Sequence, residues 1–171
     1  FGHPISGHVH RVRLFLALLD LPFEETTVDF ATGEHKSAAF RSRNVFGQVP
    51  VMEDGHVTLA DSNAILVYLA LTYDPERRWL PEAPRVQAEV QRWFSAARAT
   101  AASLFETMEQ HLAGREWLAA AHATLADLAM YTYTAHAPEG GIALEPWPRL
   151  RAWLQRVEAL PRFVGMVRSG G

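Results

Sequence analysis

The sequence contains no cysteine, which excludes disulfide staples, Cys-based zinc sites and any thiol chemistry performed by the protein's own side chains. A reactive thiol has to come from a ligand. No apolar run reaches the length of a membrane span, and residues 1–20 lack the charged, apolar, small order of a signal peptide. Sixteen basic against nineteen acidic residues leave a net charge of −3 with no block of one sign, so neither a nucleic-acid footprint nor a membrane-surface footprint is present. Small molecules or other proteins are the expected partners, and the cytoplasm is the expected location. The chain opens on Phe1-Gly2-His3-Pro4 with no initiator Met, so its first strand is expected to be short. What the sequence does have is apolar content, 49% of 171 residues, enough for a real core in one domain or two small ones.

Between His8 and Leu19 the apolar residues Val9, Val12, Phe15, Leu16 and Leu19 recur at three- and four-residue spacing, with His10, Arg11 and Arg13 between them. This is an amphipathic helix stopped by Pro22. Phe23 to Asp29 reads as a strand, followed by a loop at Ala31-Thr32-Gly33. Gln48 to Glu53 and His56 to Ala60 flank Asp54-Gly55, a strong hairpin signal, and give two antiparallel strands. Asp61-Ser62-Asn63 supplies N-capping residues for a buried helix over Ala64 to Leu71. Prolines and charges concentrate between Asp74 and Pro84, which marks 75–84 as a linker between domains 1–74 and 85–171. Beyond Arg85 the apolar spacing is helical throughout. Thr124-Leu125-Ala126-Asp127 is a variant capping box that opens a buried helix, and Arg149 to Leu160 forms the last one.

Ser6-Gly7 before the first helix, Gly47-Gln48-Val49-Pro50-Val51 before the hairpin, Asp61-Ser62 and Thr124-Leu125-Ala126-Asp127 together resemble the bacterial cytosolic glutathione S-transferases. The resemblance runs over nearly the whole chain with the motifs in order. It implies an α/β thioredoxin-like N-terminal domain, strand-helix-strand then strand-strand-helix, plus an all-α C-terminal domain, with the site in the cleft between them. Two departures stand out. Val45 replaces the proline usual in the loop before Val-Pro, and the stretch from Arg98 to Leu112 is too short for the family's antiparallel helical hairpin. That hairpin usually walls the second substrate's pocket.

Glutathione's thiol has a reference pKa of about 8.5, so roughly 3% is thiolate at pH 7, and the thiolate is the nucleophile. Lowering that pKa by two units takes about 2.7 kcal/mol, the worth of one or two charge-assisted hydrogen bonds. Ser6, where the family places its catalytic residue, is the candidate donor, and it equally suits a helix cap. His8 is the second catalytic candidate, since His8 and His10 lie a turn or less beyond Ser6. A metal site at His3, His8 and His10 is not expected, because positions 8 and 10 face differently on a helix and no nearby carboxylate completes a set. The resemblance implies a cis peptide before Pro50, with Val49 pairing main chain to main chain with glutathione. Asp61 and Ser62 at a helix N-terminus suit the γ-glutamyl group, and His35, Lys36 and Gln48 complete the polar set. Trp93, Phe94, Phe105, Trp117, Tyr131 and Tyr133 suit an acceptor pocket or the core; Arg92 and Trp93 suit a dimer interface.

The expected activity is therefore glutathione transfer to a small hydrophobic electrophile by a homodimer using glutathione and no metal. A non-catalytic dimeric scaffold of the same fold, binding a protein partner, is the alternative.

Overall fold

A computed structural model describes residues 1–96 and 101–167. Helix α1, Gly7–Leu18, starts on Ser6, whose Oγ accepts the Val9 amide at 3.4 Å and occupies one of the unpaired donors of the first turn. A 3-10 turn at Glu34–Lys36 and the single-turn α2, Ala38–Arg41, follow. Strands β1, Val51–Asp54, and β2, Val57–Ala60, pair antiparallel from Val51 opposite Ala60 to Asp54 opposite Val57. The turn falls one residue later than Asp54-Gly55: Asp54 belongs to the strand, and Gly55-His56 makes the two-residue loop with Gly55 at φ 57°. A positive φ at the first loop residue selects glycine there.

The expected strand over Phe23 to Asp29 is reduced to a single parallel bridge of Thr27 with Gly2. Across that bridge Gly2 N–H donates to the Thr26 carbonyl at 2.9 Å and the Gly2 carbonyl accepts the Val28 amide at 2.8 Å, while Val51 N–H donates to the Phe1 carbonyl at 3.1 Å. Phe1-Gly2 thus lies between residues 26–28 and β1.

Helix α3, Ser62–Tyr73, completes the α/β half, and α4, Pro84–Ala96, α5, Ala101–His111, α6, Leu125–Ala135, and α7, Pro148–Glu158, form the helical half. Of the stretch from Arg98 to Leu112, where the sequence expects a shortened hairpin, α5 takes up 101–111, and residues 97–100 lie outside the described residues. A small cluster of Val28, Phe40 and Val51 sits between the strands and α2. The main core runs without a break from Phe15, Ile65 and Leu66 to Trp93, Met108, Leu128 and Trp153. Each such side chain contributes about 1.5–3 kcal/mol by leaving water.

α6 is the axis of this arrangement and packs against α1, α4 and α7. Asp127 anchors its first turn: fully buried, its carboxylate accepts from the amides of Leu118 and Thr124, the Thr124 hydroxyl and the Trp153 indole, all at 2.9–3.1 Å. Burial pushes its pKa up and these donors oppose the shift. The connector between α3 and α4 is bonded to the same turn, since Leu125 N–H donates to the Trp79 carbonyl at 2.9 Å and the Trp79 ring packs edge-on against Phe15. Trp93 is buried within the chain beside His111. It is a core residue and not part of a surface between copies, because the apolar stripe of α4 faces α6.

Candidate functional site

An open cavity of about 880 Å³ lies beside the N-terminus of α1, lined by Ser6, His8, Phe30, His35, Lys36, Arg41, Phe46, Gly47, Gln48 and Val49, among others. Its floor is set by the loop before β1. Asn44, nearly buried, donates to the Gln48 carbonyl at 2.8 Å and accepts the Phe46 amide at 3.1 Å. Gly47 adopts φ 61°, and a Cβ there would stand 2.6 Å from the His35 carbonyl oxygen. This glycine lets the loop pack on the turn that carries His35 and Lys36. The peptide between Val49 and Pro50 is cis.

Of the sequence candidates, Ser6, His8, His35, Lys36, Gln48 and Val49 line this one cavity. Pro50 is buried behind it, and Asp61 and Ser62 stand at the start of α3. The link between the two helix starts is His8, whose Nδ1 shares a 3.1 Å hydrogen bond with Ser62 Oγ. Asp61 is exposed, holds a φ of 74°, and caps α3 by accepting the amides of Asn63 and Ala64. Two helix N-termini therefore converge here with their positive ends, a setting that favours bound anions. The Ser6 hydroxyl, which accepts from Val9, retains its own hydrogen to donate.

The electrostatics come from a residue the sequence reading left between apolar positions. Arg11 is 1% exposed; it donates to Ser62 Oγ at 3.1 Å, Asn63 Oδ1 at 2.8 Å and the Ala129 carbonyl at 2.5 Å. Burial lowers its pKa to about 10, so it stays cationic at neutral pH. Its Nε is buried with no hydrogen-bond partner among the described residues, and its guanidinium lies 5.7 Å over the ring of Tyr133. Burial first, then the Arg11 charge, pushes the His8 pKa down against the pull of Asp61, so the imidazole is neutral at pH 7. The i, i+4 relation to buried Phe15 was the signal for Arg11.

His10 does not reach this site. It is fully buried on the other side of α1, where its Nε2–H donates to the Val164 carbonyl at 2.8 Å and its Nδ1 accepts from the Thr132 hydroxyl at 3.0 Å. A carbonyl can only accept, which fixes this tautomer. The i, i+4 relation to buried Leu14 carried that information too. Among the described residues, no group of three or more His, Asp or Glu is arranged to hold a metal, and no helix is long and apolar enough to cross a membrane.

The fold has known counterparts. Residues 1–71 match the family model described as glutathione S-transferase, N-terminal domain, and residues 82–161 match the one described as glutathione S-transferase, C-terminal domain. Mouse glutathione S-transferase theta-1 is 33% identical over 91% of this chain and 80% of its own length. The crystal structure of a glutathione S-transferase from Pseudomonas fluorescens superposes with a TM-score of 0.89 at 31% identity, over 97% of this chain and 96% of that one. One from Xanthobacter autotrophicus gives 0.85 at 29%, over 96% and 94%. With both family models in order along a fold that brings His8 of α1 against Ser62 of α3, the chain belongs to the glutathione S-transferase family.

Proposed function

We propose that the cavity at the α1 N-terminus binds glutathione, and that the protein transfers it as the thiolate to a small hydrophobic electrophile. The observation that carries this is the His8 bridge, which sets the capped start of α1 beside the start of α3. The Ser6 hydroxyl donates to the sulfur and, with the positive end of α1, stabilises the anion. The main chain of Val49, held by Pro50, pairs with the cysteinyl unit. Ser62 and the first amides of α3 take the γ-glutamyl carboxylate over the buried Arg11 charge, and Asp61 faces the ammonium. His8 acts through Nδ1: when its Nδ1–H donates to Ser62, the Ser62 hydroxyl is released to donate to the carboxylate. Lys36, His35 and Gln48 take the glycyl end.

Two features support a homodimer. Phe46 and Val45 stand 79% and 74% exposed on one loop. A groove of about 750 Å³ between α3 and α4 has an apolar part formed by Leu59, Ala64, Val67, Tyr68, Leu71 and Phe94 and a polar border of Asp61, Asn63, Gln91 and Ser95. A knob and a groove on one chain fit a two-fold pairing in which each copy gives one and receives the other. A reaction that needs a reduced thiol fits the cytoplasm.

Isothermal titration with reduced glutathione, followed by kinetics on Ser6→Ala, tests the reading. Saturable binding is expected, with turnover in the variant down by about 10- to 100-fold, the worth of a hydrogen bond to a charged group, and affinity changed by less than about threefold. Absence of binding by folded protein sinks the reading and returns attention to the scaffold alternative.

A further inference from the structure

Ser62 is 4% exposed at the start of α3, and two nitrogens of α1 share its hydroxyl oxygen. Arg11 Nη1–H donates to Oγ at 3.1 Å, and His8 Nδ1 lies 3.1 Å from the same atom. A hydroxyl has one hydrogen and two lone pairs, and a guanidinium only donates, so Arg11 holds one lone pair throughout. The His8 contact can then be made in two ways. Either the Ser62 hydroxyl donates to a bare Nδ1, which puts the imidazole hydrogen on Nε2, or Nδ1–H donates to the second lone pair, which leaves Nε2 bare. Among the described residues the Ser62 hydroxyl donates to no other acceptor, so without a ligand its hydrogen goes to Nδ1. His8 Nε2 has no hydrogen-bond partner among the described residues, and the ring lines the cavity from the first turn of α1, the helix that Ser6 caps.

We infer that Ser62 and His8 form a relay that arms a base: a carboxylate arriving at the start of α3 turns the Ser62 hydroxyl toward itself, His8 takes its hydrogen onto Nδ1, and the bared Nε2 accepts the thiol proton of the same glutathione. This rests on the glutathione reading above and adds a catalytic residue to it. With the carboxylate in place, a bare Nδ1 would face an oxygen lone pair at 3.1 Å, a repulsion that Nδ1–H removes. In the step itself the S–H bond breaks, its electron pair stays on sulfur, and the proton bonds to the Nε2 lone pair. The Ser6 hydroxyl donates to the thiolate that results. The imidazolium then returns the proton from Nε2 to solvent, helped by the Arg11 charge, which disfavours a second cation beside it. The charged and titratable groups around the ring are Arg11 on its own helix, Asp61 before α3, and Tyr133 on α6, which the ring meets edge-on at 5.2 Å. Burial first, then Arg11, holds the imidazole below its ordinary pKa against Asp61, so the base is unprotonated at neutral pH.

Nitrogen-15 NMR of wild-type protein labelled at its histidines reads the relay directly, with His8→Asn identifying the His8 signals. The free protein is expected to carry the His8 hydrogen on Nε2. Saturation with S-methylglutathione, which has the carboxylate but no thiol proton to give, is expected to move it to Nδ1. His8→Asn sets an amide N–H where Nδ1–H stands, so the bond to Ser62 is kept while no base is offered. Its glutathione Kd stays within about threefold of wild type, and its kcat with 1-chloro-2,4-dinitrobenzene falls at least about tenfold. Imidazole added to the buffer restores part of that loss, which a merely structural role for His8 would not allow. Saturation without a change of tautomer, an unaltered kcat in His8→Asn, or a loss that imidazole does not restore overturns the relay and leaves the glutathione reading standing. Wild-type protein that binds neither S-methylglutathione nor glutathione overturns both.

Discussion

Gly47 shows how one residue controls the site without touching the chemistry. Its left-handed backbone and its approach to the His35 carbonyl leave no space for a methyl group. Gly47→Ala is therefore expected to cost about 2 kcal/mol in urea denaturation and to weaken glutathione binding by pushing the Gln48-Val49 segment away from the His35-Lys36 turn. Unchanged binding in a destabilised variant would show that the two segments act independently. Ser6, Val49 and Ser62 were legible in the sequence because each has a residue type that its chemistry demands at a recognisable boundary. Arg11 was not, because a cation in an amphipathic helix reads first as ordinary surface, and its role depends on which neighbours the tertiary fold supplies.

Among the elements, α1 carries two histidines with opposite duties. His8 faces the cavity and His10 is locked between Thr132 of α6 and the Val164 carbonyl. Burial is the main cause that pushes both pKa values below 6.5, with the Val164 bond opposing it at His10 and the charges of His136, Arg13 and Arg11 reinforcing it. The unfolded chain then binds more protons than the folded one as pH falls below 6.5, so stability declines on the acid side and is fully present above that value. Thermal unfolding between pH 5 and 8 should show the decline, and His10→Gln should flatten it. A slope that survives the substitution would place the protons elsewhere. The bounds of α1, α3 and α7 were readable from spacing to within a residue or two and the single-turn α2 was not read, whereas the Phe23 to Asp29 strand shortened to one bridge, since periodicity cannot say what length of partner lies beside a strand. The hairpin register shifted by one residue because glycine, not aspartate, fits the first loop position.

For the molecule as a whole, the proposed pairing of Phe46 with the groove between α3 and α4 makes assembly sensitive to one side chain. Phe46→Glu puts a charge where an apolar pocket would receive it, and sedimentation equilibrium should find the variant monomeric where the parent is dimeric. A parent that is monomeric at every concentration removes the dimer from the functional reading. The two halves of the fold were separable in the sequence by their change from mixed to purely helical spacing, but the continuity of their shared core was not, because it is created by α1 and α3 packing directly on α6. The amide of Leu125 gives that continuity a single reporter. A first-turn helix amide is normally free to exchange its hydrogen with solvent, yet this one is buried and bonded to Trp79 on the connector. Its deuterium uptake is gated by the lifting of the connector, so one peak in a hydrogen-exchange spectrum follows the coupling between the α/β half and the helical half.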